Sequence, residues 1–268
     1  MLPAAKQIVL FGGPTRTGVW TPSNLAAALK AWWSADDHGT ANMTDDGGGL
    51  ISNWIDKVSG TLAITATTTA RPTWSAAAFN SAYAGLSFDA VANCLVATSF
   101  ASLPTSSTPG EIWMSVDQQQ ASGVASGAIL VYGGLTNGIF RRLLRVNNLD
   151  GHLHVGDGTG SVSDTLVDFR GLHVIGGIFD INAVGRIDGR NTNPAAAAVT
   201  LNTSTTRFRI GANNAATAVS FWLGVVRHCI VTLALTPMER LRLEGWLAWD
   251  GGVQSLLPYN HPFRNGRP

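Results

Sequence analysis

Only three glutamates stand in this chain of 268 residues, and their positions limit the acid chemistry it can do. Cleaving a glycosidic bond takes two carboxylates flanking it, about 5–5.5 Å apart for retention and farther for inversion. Glu111 stands alone at the start of a predicted strand. Glu239 and Glu244 fall on one predicted helix, where Glu239 is spent on the cap. No strand carries two acids at alternate positions, so no catalytic residue is assigned and the chain is read as not an enzyme. A G-x-S-x-G elbow is also absent, and Gly12-Gly13 and Gly133-Gly134 lack the spacing of a phosphate loop.

Two other kinds of side chain could bind rather than react. His152 and His154 lie two apart on a predicted strand and so share a face. With Asp150 they would begin a zinc site, but a fourth ligand is missing and an outward polar face beside a hairpin is the simpler account. Asn147, Asn148 and Asp150, and the group Asp157, Asp164 and Asp168, offer the oxygens calcium takes. The same residue types form turns, so calcium stays open and no cofactor or metal is assigned. Sugars stack their C–H faces on aromatic rings. Trp113 alternates with Ile112 and Met114, which leaves one face of that strand open or concave, and Tyr132, Phe140 and Trp222 could line it too. These four and the two histidines are the candidate glycan or partner contacts, although tryptophans in a sandwich also serve as core.

The elements that would position them are strands. Short apolar runs separated by turn signals recur near 50–54, 62–66, 85–88, 95–98, 111–116, 128–132, 138–146, 151–155, 172–179, 184–187, 208–210, 219–223 and 226–235. That rhythm predicts an all-β sandwich. Asp188-Gly189 supplies a two-residue hairpin turn. Residues 24–30 read as a turn of helix. One longer helix follows Leu235: Thr236 caps it, Pro237 takes the first position, Glu239 closes a capping box, and Gly251 and Gly252 end it. Residues 1–22 read as an N-terminal arm whose apolar tip, Ile8, Val9, Leu10 and Phe11, could add a strand to a neighbour's sheet. Residues 23–268 then form one domain.

Charged residues make up 13% of the chain and net charge is +1, which argues against a nucleic-acid partner. Low charge suits a protein that packs into an assembly or a homo-oligomer. No stretch reaches the ~18–20 apolar residues of a membrane-spanning helix, and none has the form of a signal peptide. Cys94 and Cys229 lie in apolar strand-like runs and read as buried free thiols, with a bridge between them as the other arrangement.

Several short motifs occur in an order that resembles concanavalin A-like (laminin G-like) jelly-roll domains of phage structural proteins. They are Trp32-Trp33-Ser34-Ala35-Asp36-Asp37, Trp54-Ile55-Asp56-Lys57, Arg71-Pro72, Leu86-Ser87-Phe88-Asp89, Leu235 to Arg240, Glu244-Gly245-Trp246-Leu247-Ala248, and Leu257-Pro258 with His261-Pro262-Phe263. Trp246 and Phe263 stand where the family has tyrosine, and Gly251 where it has tryptophan. The resemblance implies an antiparallel β-sandwich, a concanavalin A-like jelly roll, with the N-terminal arm and one C-terminal helix. It further implies a non-enzymatic virion component, a tail fibre, baseplate or head decoration, made in the host cytoplasm. Its partners would be other virion proteins and a host-surface polysaccharide. The alternatives are a carbohydrate-binding lectin module with calcium at its rim, and a glycoside hydrolase acting through Glu111.

Overall fold

The computed structural model describes residues 19–268 except 61–62, 98–99, 101, 120–126, 134–140, 147–150, 158–160, 164–168, 193–195, 202, 205–206 and 214–220. The tip of the expected arm (Ile8, Val9, Leu10, Phe11), together with Phe140, Asn147, Asn148, Asp150, Asp164 and Asp168, lies outside the described residues.

In chain order the strands are β1 (Leu29–Ser34), β2 (Met43–Asp45), β3 (Ile51–Ile55), β4 (Ala63–Thr65), β5 (Thr73–Phe79) and β6 (Tyr83–Asp89). Next come β7 (Leu95–Ala97), β8 (Gly110–Gln118), β9 (Gly127–Gly133), β10 (Arg141–Val146), β11 (Leu153–Gly156) and β12 (Ser161–Ser163). The last six are β13 (Gly171–Phe179), β14 (Asn182–Ile187), β15 (Arg190–Asn191), β16 (Ala197–Ala198), β17 (Phe208–Ile210) and β18 (Leu223–Leu233), before the helix α1 (Pro237–Asp250). Among the described residues these make two nine-stranded antiparallel sheets. One runs β15-β14-β13-β8-β18-β6-β5, with β1 added beside β18 and β16 beside β14; the other runs β12-β11-β10-β9-β17-β7-β4-β3-β2. The fold is an all-β antiparallel sandwich with one C-terminal α-helix.

Alternation sets the layers. On β8, Ile112, Met114 and Val116 point into the core between the sheets, where they meet Tyr132, Leu144 and Phe208 of the facing sheet. Trp113 points the other way, with Ile230 of β18 and Val174 of β13, into a second core under Leu243, Trp246 and Leu247 of α1. The helix thus seals the outer face of the first sheet. Each large side chain it covers contributes about 1.5–3 kcal/mol by burial. Trp113 fits there because its cross-strand neighbour is Gly176, where a Cβ would lie 2.6 Å from the indole.

The tryptophan motifs join the layers. Trp33 Nε1 donates to Trp54 O (3.2 Å) and Trp54 Nε1 donates to Ser34 O (3.0 Å), a reciprocal pair tying β1 of one sheet to β3 of the other. Both indoles are fully buried, so each N–H needs a partner that backbone supplies.

Several expectations shift in detail. Among the described residues, the runs 219–223 and 226–235 contain a single strand, β18, which pairs with β8 along nearly its whole length and continues through a bulge between Val226 and His228. Strands β1, β2, β5, β12, β15 and β16 lie outside the expected runs. At 24–30 the chain makes a 3-10 turn, Pro22–Ala28, and then enters β1. The helix cap is as read: Glu239 N donates to Thr236 Oγ1 (3.3 Å) and Thr236 N donates to Glu239 Oε2 (2.8 Å). Asp188 and Gly189 both take positive φ, 50° and 82°, as a tight β14–β15 hairpin requires.

Candidate functional site

The structure does not bring the expected contact residues to an open face. Trp113, Tyr132 and Trp222 are each fully buried, so the reading of an aromatic binding surface is corrected: Trp113 lies beneath α1 and the other two lie between the sheets. The alternation on β8 was right; what it lacked was the helix that covers the outward side. Tyr132 and Arg142 are cross-strand partners in the core, and burial pushes the Tyr132 phenol up and holds the Arg142 guanidinium below its ordinary value. Trp222 Nε1 donates to Gln118 Oε1 (3.0 Å). His154 lies on β11 and His152 just before it; both are half-buried, with His154 Nδ1 3.4 Å from Arg145 Nη2. Asp157 is fully buried and accepts from Thr200 N (2.9 Å), so it anchors a loop. Cys94 and Cys229 are buried free thiols.

Glu111, Glu244, Asp36 and Asp250 are deployed as anchors for arginines. Glu111 is fully buried and accepts from Arg240 Nε (2.8 Å), Leu235 N (2.9 Å) and Trp113 Nε1 (3.0 Å). Burial outweighs these donors and raises its carboxyl above the usual glutamate value. Glu244, also fully buried, takes Arg186 in a bidentate pair (2.8 and 2.7 Å). Asp36, His228 and Asp250 are the described groups whose ligating atoms converge, within 4.8 Å of one another. The point they converge on is already taken by a cation. Arg227 donates to Asp36 Oδ1 and Oδ2 (3.0 and 2.8 Å) and, through Nε and Nη2, to Asp250 Oδ2 (3.0 and 2.6 Å). A guanidinium at the centre leaves that cluster a clamp, not a metal centre.

The surface feature with binding chemistry lies in the proline-punctuated tail. Trp249, Gln254, Ser255, Arg264 and Asn265 line an open pocket of about 410 Å³. Trp249 comes from the last turn of α1, Gln254 and Ser255 from the 3-10 turn Gln254–Leu256, and Arg264 and Asn265 from the final segment. Gly245 lets that segment approach the helix closely, since a Cβ there would lie 2.6 Å from Phe263. Trp249 Nε1 donates to Phe263 O (2.7 Å), which pins the indole by its edge at the wall of the pocket. Arg264 Nη1 donates to Leu257 O, and His261 Nδ1 accepts from Phe263 N (3.2 Å). Gln254 Oε1 is shielded from solvent and has no donor among the described residues. The rim therefore mixes a carboxamide, a hydroxyl, a second amide and a guanidinium around one indole. Neither Trp249 nor the four polar residues stand among the contact residues expected from the sequence, since they are dispersed through a tail without periodicity.

No protein-family model matches this chain, and no curated protein matches it. Solved structures do. An arabinofuranosidase complexed with arabinofuranosyl-alpha-1,2-xylobiose superposes with a TM-score of 0.58 at 9% identity, over 84% of this chain and 59% of that one. A Trypanosoma rangeli sialidase in complex with 2,3-difluorosialic acid superposes with a TM-score of 0.59 at 13% identity, over 84% of this chain and 33% of that one. The chain thus spans between a third and three-fifths of these two proteins, and at these identities the likeness is one of fold. These findings overturn the expectation of a non-enzymatic phage structural component: the folds shared are those of glycan-cleaving enzymes, and neither the virion role nor the reading of the chain as not an enzyme is retained.

Proposed function

We propose that this chain is a carbohydrate-binding β-sandwich of a glycan-acting protein, with the pocket around Trp249 as its sugar site. The observation that carries this is the composition of that pocket. An indole pinned by its edge lines the pocket, together with two amides and a hydroxyl that donate and accept and a guanidinium that donates. Neutral sugars have that same pairing of an apolar face with hydroxyls that donate and accept. The shared fold with an arabinofuranosidase and a sialidase supports the reading at the level of architecture. The motif resemblance to concanavalin A-like jelly rolls belongs to the same proposal.

The test is a panel of neutral oligosaccharides, including arabinose- and xylose-bearing ones, titrated into the full chain and into Gln254→Ala/Asn265→Ala. Both side chains sit at the pocket rim, so the fold should persist. Removing two hydrogen-bonding groups is expected to weaken binding about tenfold or more. Retention of no neutral glycan, or equal retention by the double variant, would reject the assignment.

A further inference from the structure

A second pocket, also of about 410 Å³, runs between the first turns of α1 and the β14–β15 edge of the first sheet. Its floor is apolar, made by Ile178, Val184 and Leu241, and its polar groups are Arg186, Arg240 and Asn191.

The hydrogen bonds of these three groups leave mostly donors for the groove: beside them stands one spare lone pair of Asn191 Oδ1, whose other lone pair takes Arg186. Arg240 commits Nε and Nη2 to the buried Glu111 Oε1 (2.8 and 2.7 Å), and its Nη1 has no protein acceptor among the described residues. Arg186 commits Nε and Nη2 to the buried Glu244 and Nη2 also to Gly189 O (3.0 Å). One N–H of its Nη1 goes to Asn191 Oδ1 (2.7 Å), and the other is left over. Because Asn191 Oδ1 is the acceptor in that bond, the amide's remaining polar atom, Nδ2, is a donor. The two carboxylates that orient the guanidiniums lie behind them with no exposed surface, so a ligand cannot reach either.

From this we infer that the groove is a carboxylate site: it takes the carboxylate of a sugar acid, whose apolar ring face rests on Ile178, Val184 and Leu241. A carboxylate only accepts, so its two oxygens can take the spare Nη1 N–H groups of the two arginines and the Asn191 amide together. A neutral hydroxyl brings its own proton, and the side-chain acceptor it meets, Asn191 Oδ1, is already engaged by Arg186. The donor-rich lining also distinguishes this groove from the mixed rim around Trp249. The naming of a sugar as the carrier rests on the carbohydrate reading above; the demand for a carboxylate does not.

The experiment titrates glucuronate, methyl glucoside and acetate separately into isotope-labelled full chain, with backbone amides of Val184, Asn191 and Leu241 reporting the groove and the Trp249 indole N–H reporting the other pocket. Glucuronate is expected to shift the groove signals with an affinity about tenfold or more above methyl glucoside, the scale of losing hydrogen bonds to a charged group. Arg240→Lys keeps a charge against Glu111 but not the spare Nη1 group, and should lose most of that preference; Asn191→Ala, at an exposed position, should weaken glucuronate without touching the fold. Equal affinity for glucuronate and methyl glucoside would overturn the carboxylate assignment. Acetate binding as tightly as glucuronate would overturn the sugar acid as carrier. Neutral sugars that leave the Trp249 indole signal unmoved would count against the carbohydrate reading while the groove result stood.

Discussion

Asp250 is the residue whose removal tests how the helix is fastened to the sandwich. It sits at the C-terminal end of α1, where an acidic side chain meets the negative end of the helix and costs about 0.3–1 kcal/mol. Its placement makes sense through Arg227, whose side chain is 4% exposed and lies on β18. Asp250→Ala removes two charge-assisted bonds from Arg227 and one from His228 Nε2 (2.7 Å), while leaving Arg227 with Asp36 and Ala84 O. Complete loss of a buried partner costs about 3–5 kcal/mol. With Asp36 still in place and the helix end relieved of its charge, about 2–4 kcal/mol is expected. For a domain of this size that lowers the melting temperature by roughly 5–15 °C. Asp36→Ala is the internal comparison: its side chain is 49% exposed, so solvent screens the pair and the loss should be clearly smaller. Burial alone would raise the Asp250 carboxyl, but the His228 hydrogen bond and the Arg227 guanidinium more than offset it and hold it well below the usual range. A depressed native value adds stability above the unfolded pKa of about 3.9, and this is lost as pH falls below it. Thermal melts of wild type and Asp250→Ala should therefore differ fully at pH 6 and converge in strong acid. Equal melting temperatures at pH 6, or a larger loss from Asp36→Ala, would refute the clamp.

Gly176→Ala should be costly despite adding one methyl group. The new Cβ would press on the Trp113 ring at 2.6 Å beneath α1, and overpacking of this kind costs about 1–3 kcal/mol in chemical denaturation. Thiol labelling of the native protein at pH 8 should be slow at both cysteines and speed up only with unfolding, because burial raises both thiols and Cys229 is fully enclosed. Fast labelling of Cys229 in the folded state would contradict that enclosure.

Local chemistry was legible where it needs no distant partner. Thr236, Pro237 and Glu239 specify a helix start among themselves, and Asp188-Gly189 specifies a turn through backbone preference alone. The strand β5 was hidden because Ser75, Ala76, Ala77 and Ala78 show no apolar alternation; its identity comes from pairing with β6. Trp113 was placed on the right face of the right strand, yet that face is closed by a helix more than a hundred residues away in sequence. The Trp249 pocket was illegible for a related reason. Its polar residues lie on a turn and a coil, and only the approach of Phe263 to Gly245 brings them around one ring.

The glutamates that opened the question also account for why two pockets flank one helix. Glu239 caps α1 at its start, Glu111 holds Arg240 of its first turns, and Glu244 holds Arg186 of β14 from its middle. His261 Nε2 of the tail lies 3.6 Å from Glu244 Oε2, and Gly189, whose carbonyl accepts from Arg186, packs against Pro258 and His261. One buried carboxylate therefore touches both the strand edge that forms the arginine groove and the tail that forms the indole pocket. A fully buried charge cannot lose its partner without a cost of several kcal/mol, so the positions of Arg186 and the tail are set together. Glu244→Gln should accordingly perturb signals in both pockets, whereas variants at either rim should perturb one; a Glu244→Gln spectrum altered in the groove alone would show that the two sites are independent.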